Sequence, residues 1–336
     1  MNIQRAIQEF ILAHEVDNCS PYTLRNCRLP LVRFAEWLQS EHGVTDTEGL
    51  QVIHLRGWMN HLQKAPSRRG RPFTDSTIHQ YGQVLASFCH WLEQEEVLEK
   101  PITPRFKLPR VEQKFIPTFT PEDVEKLLAA CEVDASRFRP ATRKALTARN
   151  RAIVSVLLDT GIRRQELVSL RLGDIDRDLR VLLVHRKGNR WQQVPISYEG
   201  FKPLHEYLSK YRPYLAKLAG RTVARKEDAV FLADDGEPLT IEGVSQLFMR
   251  LRKRTGIEGK RVSPHNCRRY MATTQLASGR SPLDVQRQMG HTTLMMTNRY
   301  ASLNVEQLRR SHELHSPLRA RNVGESRPFG SGYWEE

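Results

Sequence analysis

Residues 99–120, EKPITPRFKLPRVEQKFIPTFT, hold four prolines, five basic residues and no sustained hydrophobic period. Proline fixes its own φ, removes a backbone donor and biases its predecessor away from the helix, so this stretch reads as an extended connector. It divides the 336 residues in two. The expected organisation is a first domain at 1–100, a linker at 101–118, a second domain at 119–316 and a loose tail at 317–336, rich in Arg, Gly, Ser and Pro. With 39% hydrophobic side chains the chain can give each domain a core, which excludes fibrous, collagenous and wholly disordered classes.

The two parts differ in charge. The formal net charge is +14, yet residues 1–100 carry ten Lys/Arg against twelve Asp/Glu, a balance of −2, so the remainder carries +16. That excess is too lopsided for a typical metabolic enzyme and points to a polyanionic partner. In the first part the basic residues bunch at Arg68, Arg69 and Arg71, in a loop of Pro, Ser and Gly that reads equally as solvated or as touching phosphate.

Apolar residues in the first part fall at helical spacing. Ala6, Ile7, Phe10 and Ile11 mark one helix. Ser20-Pro21, a capping serine followed by proline at the first helical position, opens another with Leu24, Leu31, Phe34 and Leu38 on one stripe. Pro30 is expected to kink or split it. Ile78, Tyr81, Leu85, Phe88 and Leu92 form a further stripe, and the whole reads as a bundle of about four helices.

The second part is helical with strand interruptions. Thr120-Pro121-Glu122-Asp123 is a capped start whose helix buries Val124, Leu127, Leu128 and Cys131. Residues 179–186 and 191–196 are rich in β-forming side chains, so Lys187-Gly188-Asn189-Arg190 reads as a hairpin turn, and 230–239 reads as a second hairpin through Asp234-Asp235-Gly236. Helices are expected at 241–254, 264–277, 282–289 and 292–300, with a sparsely apolar one at 304–316. The expected class is mainly α with small β hairpins or sheet.

Several functions are excluded. The five cysteines are odd in number and contain no CxxC pair, so neither a disulfide framework nor a zinc ribbon is supported, and a reducing, cytoplasmic setting fits. No signal-type apolar core opens the chain and no stretch approaches the roughly 18 to 20 apolar residues of a membrane span. No GxxxxGK loop argues for nucleotide hydrolysis. His312-Glu313-Leu314-His315 is one residue short of HExxH, so its histidines lack the i, i+4 spacing that motif uses.

What remains is a set of basic and nucleophilic residues in recurring order. Thr160-Gly161-Ile162-Arg163-Arg164-Gln165-Glu166-Leu167 resembles the TGxRxxEL box of tyrosine recombinases, the group of phage integrases and Xer recombinases. Arg186-Lys187-Gly188-Asn189-Arg190 is similar to that family's GKGxK turn, and Ser263-Pro264-His265-Asn266-Cys267-Arg268-Arg269 to its SPHxxRH box. Met289-Gly290-His291, followed nine residues later by Tyr300, resembles its LGHxxxxxTxxY ending, Thr297 included. An Arg-x-x-Glu alone is ordinarily a surface ion pair, a lone histidine a capped or core residue, and a tyrosine near a helix end plain packing. Four motifs in family order outweigh those readings.

Ser20-Pro21-Tyr22-Thr23-Leu24 and Phe34-x-x-Trp37-Leu38 look like the family's helical core-binding domain, so the resemblance covers roughly residues 5 to 315. It implies that this domain and an α/β catalytic domain take opposite sides of DNA. Arg269 stands where a second histidine is common, a departure that bears on transition-state contacts. Cys267 stands where leucine is common and Pro30 inside a normally unbroken helix, departures that bear on packing.

The resemblance implies catalytic roles for Arg163, Lys187, His265, Arg268, His291 and Tyr300, with Glu166 behind Arg163. The chemistry is coherent. A phenol of free pKa about 10 attacks a phosphodiester only where the developing charge is stabilised and the leaving 5′ oxygen is protonated. Arg163 and Arg268 would clamp the non-bridging oxygens, Glu166 would hold Arg163, and Lys187 would protonate the leaving hydroxyl. His265 and His291 would donate to phosphate or manage the phenol proton. The arginines supply the positive charge a metal would otherwise bring, so neither metal nor other cofactor is expected.

The expected function is a site-specific DNA recombinase working through a 3′-phosphotyrosine, for integration, excision or resolution of a mobile element. The length and the segment after Tyr300 favour that setting over Xer-type chromosome-dimer resolution. Its expected partners are double-stranded DNA target sites, copies of itself in a tetramer on DNA, and an accessory directionality factor. Rivals are a type IB topoisomerase, which uses the same tyrosine chemistry, and a non-catalytic DNA-binding factor, which the full residue set disfavours.

Overall fold

The computed structural model describes residues 1–66, 70–98, 100–109, 117–133, 138–186, 188–219, 228–290 and 312–313. The chain divides into two compact units, Met1–Phe115 and Ile116–Glu336.

Four α-helices carry the described part of the first unit: α1 (Ile3–Val16), α2 (Pro21–His42), α3 (Val52–Lys64) and α4 (Asp75–Gln94). Their starts are set by side-chain caps. Asn2 Oδ1 accepts from the Gln4 N–H at 2.9 Å, and Ser20 Oγ from the Thr23 N–H at 3.2 Å with Pro21 next in line. Pro30 leaves α2 undivided. It costs the helix one backbone bond, but Leu31, Phe34 and Leu38 continue the buried stripe beyond it into a core shared with Phe10, Leu55, Leu62, Leu85 and Phe88. Tyr81 is only half-buried; it packs against that core, and its hydroxyl accepts from Arg33 Nη1 at 3.1 Å.

The proline-rich stretch departs from a free connector in its first half. Residues 101–109 fold back on their own unit. Glu93 accepts from the Ile102 and Thr103 N–H groups, each at 2.7 Å, Arg56 Nη2 donates to the Arg105 carbonyl at 2.9 Å, and Phe106 is buried in the core. A Cβ on Gly82 of α4 would meet Leu108 Cδ2 at 2.6 Å, so the glycine makes room for this segment. Three apolar side chains among the prolines, Ile102, Phe106 and Leu108, supply the reason: in a free linker they would lie in water.

In the second unit α5 (Pro121–Ala129) starts at a cap in which Thr120 and Asp123 exchange bonds, and buries Leu127 and, just past its end, Cys131, with Val124 and Leu128 half-buried. The 21-residue α6 (Pro140–Thr160) is the central element and is buried on nearly all sides from Ala152 to Leu157. After the short α7 (Arg164–Ser169), strands β1 (Ile175–Asp176), β2 (Val181–Arg186) and β3 (Arg190–Pro195) form an antiparallel sheet in the order β1-β2-β3, with Leu182 opposite Val194 and Arg186 opposite Arg190. Then come α8 (Tyr198–Glu206), a π turn at Tyr207–Tyr211, α9 (Arg212–Ala216), α10 (Ile241–Thr255), α11 (Pro264–Ala277) and α12 (Pro282–Met289).

The expected hairpin at 230–239 is a single bridge, Leu232 to Pro238, because buried Val230, Phe231 and Leu232 join the core rather than a sheet. A buried arginine, Arg149, braces that bridge by donating to the Leu232 carbonyl at 2.8 Å; burial lowers its pKa to about 10. All five cysteines are free, with Cys89, Cys131 and Cys267 buried and Cys19 and Cys27 half-buried. The expected helices at 292–300 and 304–316 and the tail lie outside the described residues, save His312 and Glu313, which are helical and exposed.

Candidate active site

Gly161 ends α6 in the left-handed region (φ 64°), where an added Cβ would also lie 2.1 Å from Met271 Cε. The chain then buries Ile162 and extends at Arg163, the residue that precedes α7. Glu166, one turn on and 4% exposed, accepts from the Arg163 N–H at 2.7 Å and from Arg163 Nη1 at 2.9 Å. One carboxylate therefore caps α7 and orients the Arg163 guanidinium, which stays 41% exposed. The adjacent Arg164 turns away and donates to Ser245 Oγ on α10.

In β2 the side chains alternate, and Leu182, Val184 and Arg186 all face inward. Arg186, 6% exposed, donates from Nη1 to Glu166 Oε2 at 2.9 Å and to the Met289 carbonyl at 3.1 Å, from Nη2 to the Gln288 carbonyl at 2.6 Å, and from Nε to Gln192 Oε1 at 3.1 Å. Burial pulls its pKa below the ordinary arginine value, against the raising effect of Glu166. Beyond Arg186 the turn carries Gly188 and Asn189, both with positive φ; Lys187 lies outside the described residues.

Ser263 caps α11 by accepting from the Asn266 N–H at 3.3 Å, with Pro264 in the first helical position. Arg268, one turn in and 4% exposed, donates from Nη1 to the Gly161 carbonyl and from Nη2 to the Met289 carbonyl. His265, exposed in the first turn, has its pKa lowered first by partial removal from water and then by the positive charges of Arg269, Arg268, Arg261 and Arg163. Both effects favour its neutral form. The α12 helix ends at Gly290 (φ 61°), where a Cβ would lie 2.9 Å from Arg186 Nε.

Four expected site residues, Arg163, Glu166, His265 and Arg268, are thus drawn together from α7 and α11. His291 and Tyr300 lie outside the described residues, as do Arg68 and Arg69; Arg71 is exposed, in the first unit. Arg186 is the site residue that motif reading passed over. Its signal was the period of two in Val181-Leu182-Leu183-Val184-His185-Arg186, which puts an arginine on the apolar face. Among the described residues there is no cluster of three or more His, Cys, Asp or Glu arranged for a metal, and no helix long and apolar enough to cross a membrane.

Residues 117–307 match the phage integrase family. Tyrosine recombinase XerC 2 of Ralstonia nicotianae is 30% identical over 308 residues, 90% of this chain and 83% of that protein. Tyrosine recombinase XerC of Pelotomaculum thermopropionicum is 29% identical over 93% of this chain and 97% of its own. In fold, the chain is similar to a Tn1549 transposon integrase in complex with transposon right end DNA, at 20% identity and a TM-score of 0.70 over 94% of this chain and 99% of that one. It is also similar to the XerH site-specific recombinase bound to difH substrate, at 17% identity and a TM-score of 0.65, covering 92% and 83%. With the family match running through both arginine motifs and a relative 30% identical aligned over nine-tenths of this chain, the chain belongs to the phage integrase family, the tyrosine recombinases, and is an enzyme of site-specific DNA recombination.

Proposed function

We propose that the chain cuts and rejoins double-stranded DNA with Tyr300 as nucleophile. The phenolic oxygen bonds to the scissile phosphorus, the bond from phosphorus to the 5′ oxygen breaks, and a 3′-phosphotyrosine forms. Lys187 gives the leaving 5′ oxygen its proton, while the phenol proton passes to His265, whose neutral form is favoured by burial and the surrounding arginines. Arg163 and Arg268 stabilise the charge on the non-bridging oxygens, and His291 donates to the same phosphate. The 5′ hydroxyl of a partner strand reverses the step, so the phosphodiester energy is conserved.

The observation that carries this reading is the pairing of Arg163 and Arg268 around the turn at Gly161, with Glu166 fixing one and the Gly161 carbonyl the other. The proposed assembly is a tetramer on two DNA sites, with Arg68, Arg69 and Arg71 touching phosphate and an accessory factor setting direction. The proposed setting is integration, excision or resolution of a mobile element. The Xer-named relatives, aligned over nine-tenths of this chain, favour chromosome-dimer resolution as the second reading.

The test is a nicked duplex carrying the inverted repeats, about 11 to 13 base pairs each, sought in the DNA beside the gene. The expected product is a covalent adduct through a 3′ phosphate, absent in Tyr300→Phe while DNA binding persists. An adduct formed by the phenylalanine variant would remove Tyr300 as nucleophile. Repeats at the ends of a mobile element would favour the first setting, and a single chromosomal site the second.

A further inference from the structure

We infer that Arg186 is a positioning residue for strand cleavage, its buried guanidinium holding the two arginines of the phosphate clamp at a fixed separation. The inference rests on the clamp reading of Arg163 and Arg268 given above.

An unbroken path of charge-assisted hydrogen bonds joins the two arginines, and Arg186 is its middle. Arg163 Nη1 donates to one oxygen of Glu166, and Arg186 Nη1 to the other, each at 2.9 Å. The same Nη1 donates to the Met289 carbonyl, which also accepts from Arg268 Nη2. A carbonyl oxygen has two lone pairs, so one backbone atom can hold both guanidiniums. Without Arg186 the clamp arginines would share no partner along this path, and Glu166 would neutralise Arg163 alone. With two cations on one carboxylate, net positive charge is left for the phosphate.

The site is built to admit this guanidinium. Gly290 adopts a left-handed conformation, and a side chain there would strike Arg186 at Nε and Cζ. Gln192, the inward-leaning residue of β3 across the sheet, accepts from Nε and so fixes the plane of the fork. Lysine could reach one of these acceptors but could not span carboxylate and two carbonyls at once, since it lacks the planar array of donors. Arg186 also directly precedes residue 187, and the carbonyls it holds precede residue 291 by two and three positions. The backbone entering both of those proposed catalytic positions is thereby pinned to the same group.

The experiment uses the full chain on the nicked duplex described above, with either an ordinary phosphodiester or a methylphosphonate at the scissile position. The methylphosphonate lacks one non-bridging charge, so it asks less of the clamp. Arg186→Lys and Arg186→Met are expected to bind DNA within about threefold of the wild type and to cleave the phosphodiester about 100-fold more slowly. Their deficit on the methylphosphonate should fall below about tenfold. Equal deficits on both substrates would mark a general loss of folded enzyme and overturn the inference, and so would wild-type cleavage by Arg186→Lys. If Arg186→Met does not fold, Arg186→Lys decides alone. Arg163→Ala separates the two levels: if its deficit also fails to shrink, the clamp reading is wrong, whereas if it shrinks and that of the Arg186 variants does not, only the role of Arg186 falls.

Discussion

Arg163 and Arg164 are neighbours in sequence and part company in space. One guanidinium is oriented by a buried carboxylate at the turn after α6; the other reaches Ser245 on α10 at the surface. Arg163→Ala is expected to lower single-turnover cleavage by roughly 100- to 1,000-fold, about 3 to 4 kcal/mol of transition-state stabilisation, with DNA affinity nearly kept. Arg164→Ala should stay within about threefold, the scale of an exposed contact; the reverse order would reassign the pair. His265 offers a test by pH. Its folded pKa is lowered, so it should titrate below 6.5, and the acid limb of kcat/KM should lie below 6.5 as well. His54 is lowered too, by burial and then by His42. Each group binds fewer protons folded than unfolded, so the stability it contributes is present above pH 6.5 and is lost as pH falls from there through the lowered folded pKa. Proton NMR of the imidazole C–H signals reads both midpoints, and a value above 6.5 for either would contradict the assignment.

At the scale of elements, residues 101–109 belong energetically to the first unit. Phe106→Ala, which empties a buried ring site, should cost about 3 kcal/mol or more in urea unfolding of that unit. A fragment ending at residue 98 should melt well below one ending at 115, and equal melting points would mean the segment only rests on the surface. Sequence reading saw this stretch through its prolines, which report an extended, non-helical backbone and say nothing of where Ile102, Phe106 and Leu108 find cover. The helices themselves were legible, because the period of 3.6 in α1, α2 and α4 is imposed by a single buried face. Pro30 was legible as a cost but not as a tolerated one, since toleration depends on packing from elements distant in sequence. The same holds in the site. Arg163, Glu166 and Arg268 sit in local motifs, whereas Arg186 meets Glu166 only because β2 packs against α7. Nothing within five residues of Arg186 announces that partner.

Across the whole molecule, the net charge of +1 for residues 1–115 against +13 for residues 116–336 assigns most of the electrostatic attraction for DNA to the second unit. A fragment of residues 116–336 should lose affinity steeply as salt rises, by release of counterions, while the first unit should show a shallower slope. A steeper slope for the first unit would contradict this division. The thiols divide the molecule along a different line. Cys89, Cys131 and Cys267 are sealed in the two cores, where burial raises their pKa values, that of Cys131 to about 12, so that almost no thiolate exists to react. Cys19 and Cys27, half-buried at the start of α2, remain within reach of a maleimide. Alkylation of the native protein should therefore stop at two adducts, both in the first unit, and leave a ready attachment point for a fluorophore remote in sequence from the cleavage machinery. Each further adduct then counts an opening of one particular core, Cys89 reporting on the first unit and Cys131 and Cys267 on the second, so the unmutated chain carries its own gauge of which half breathes first.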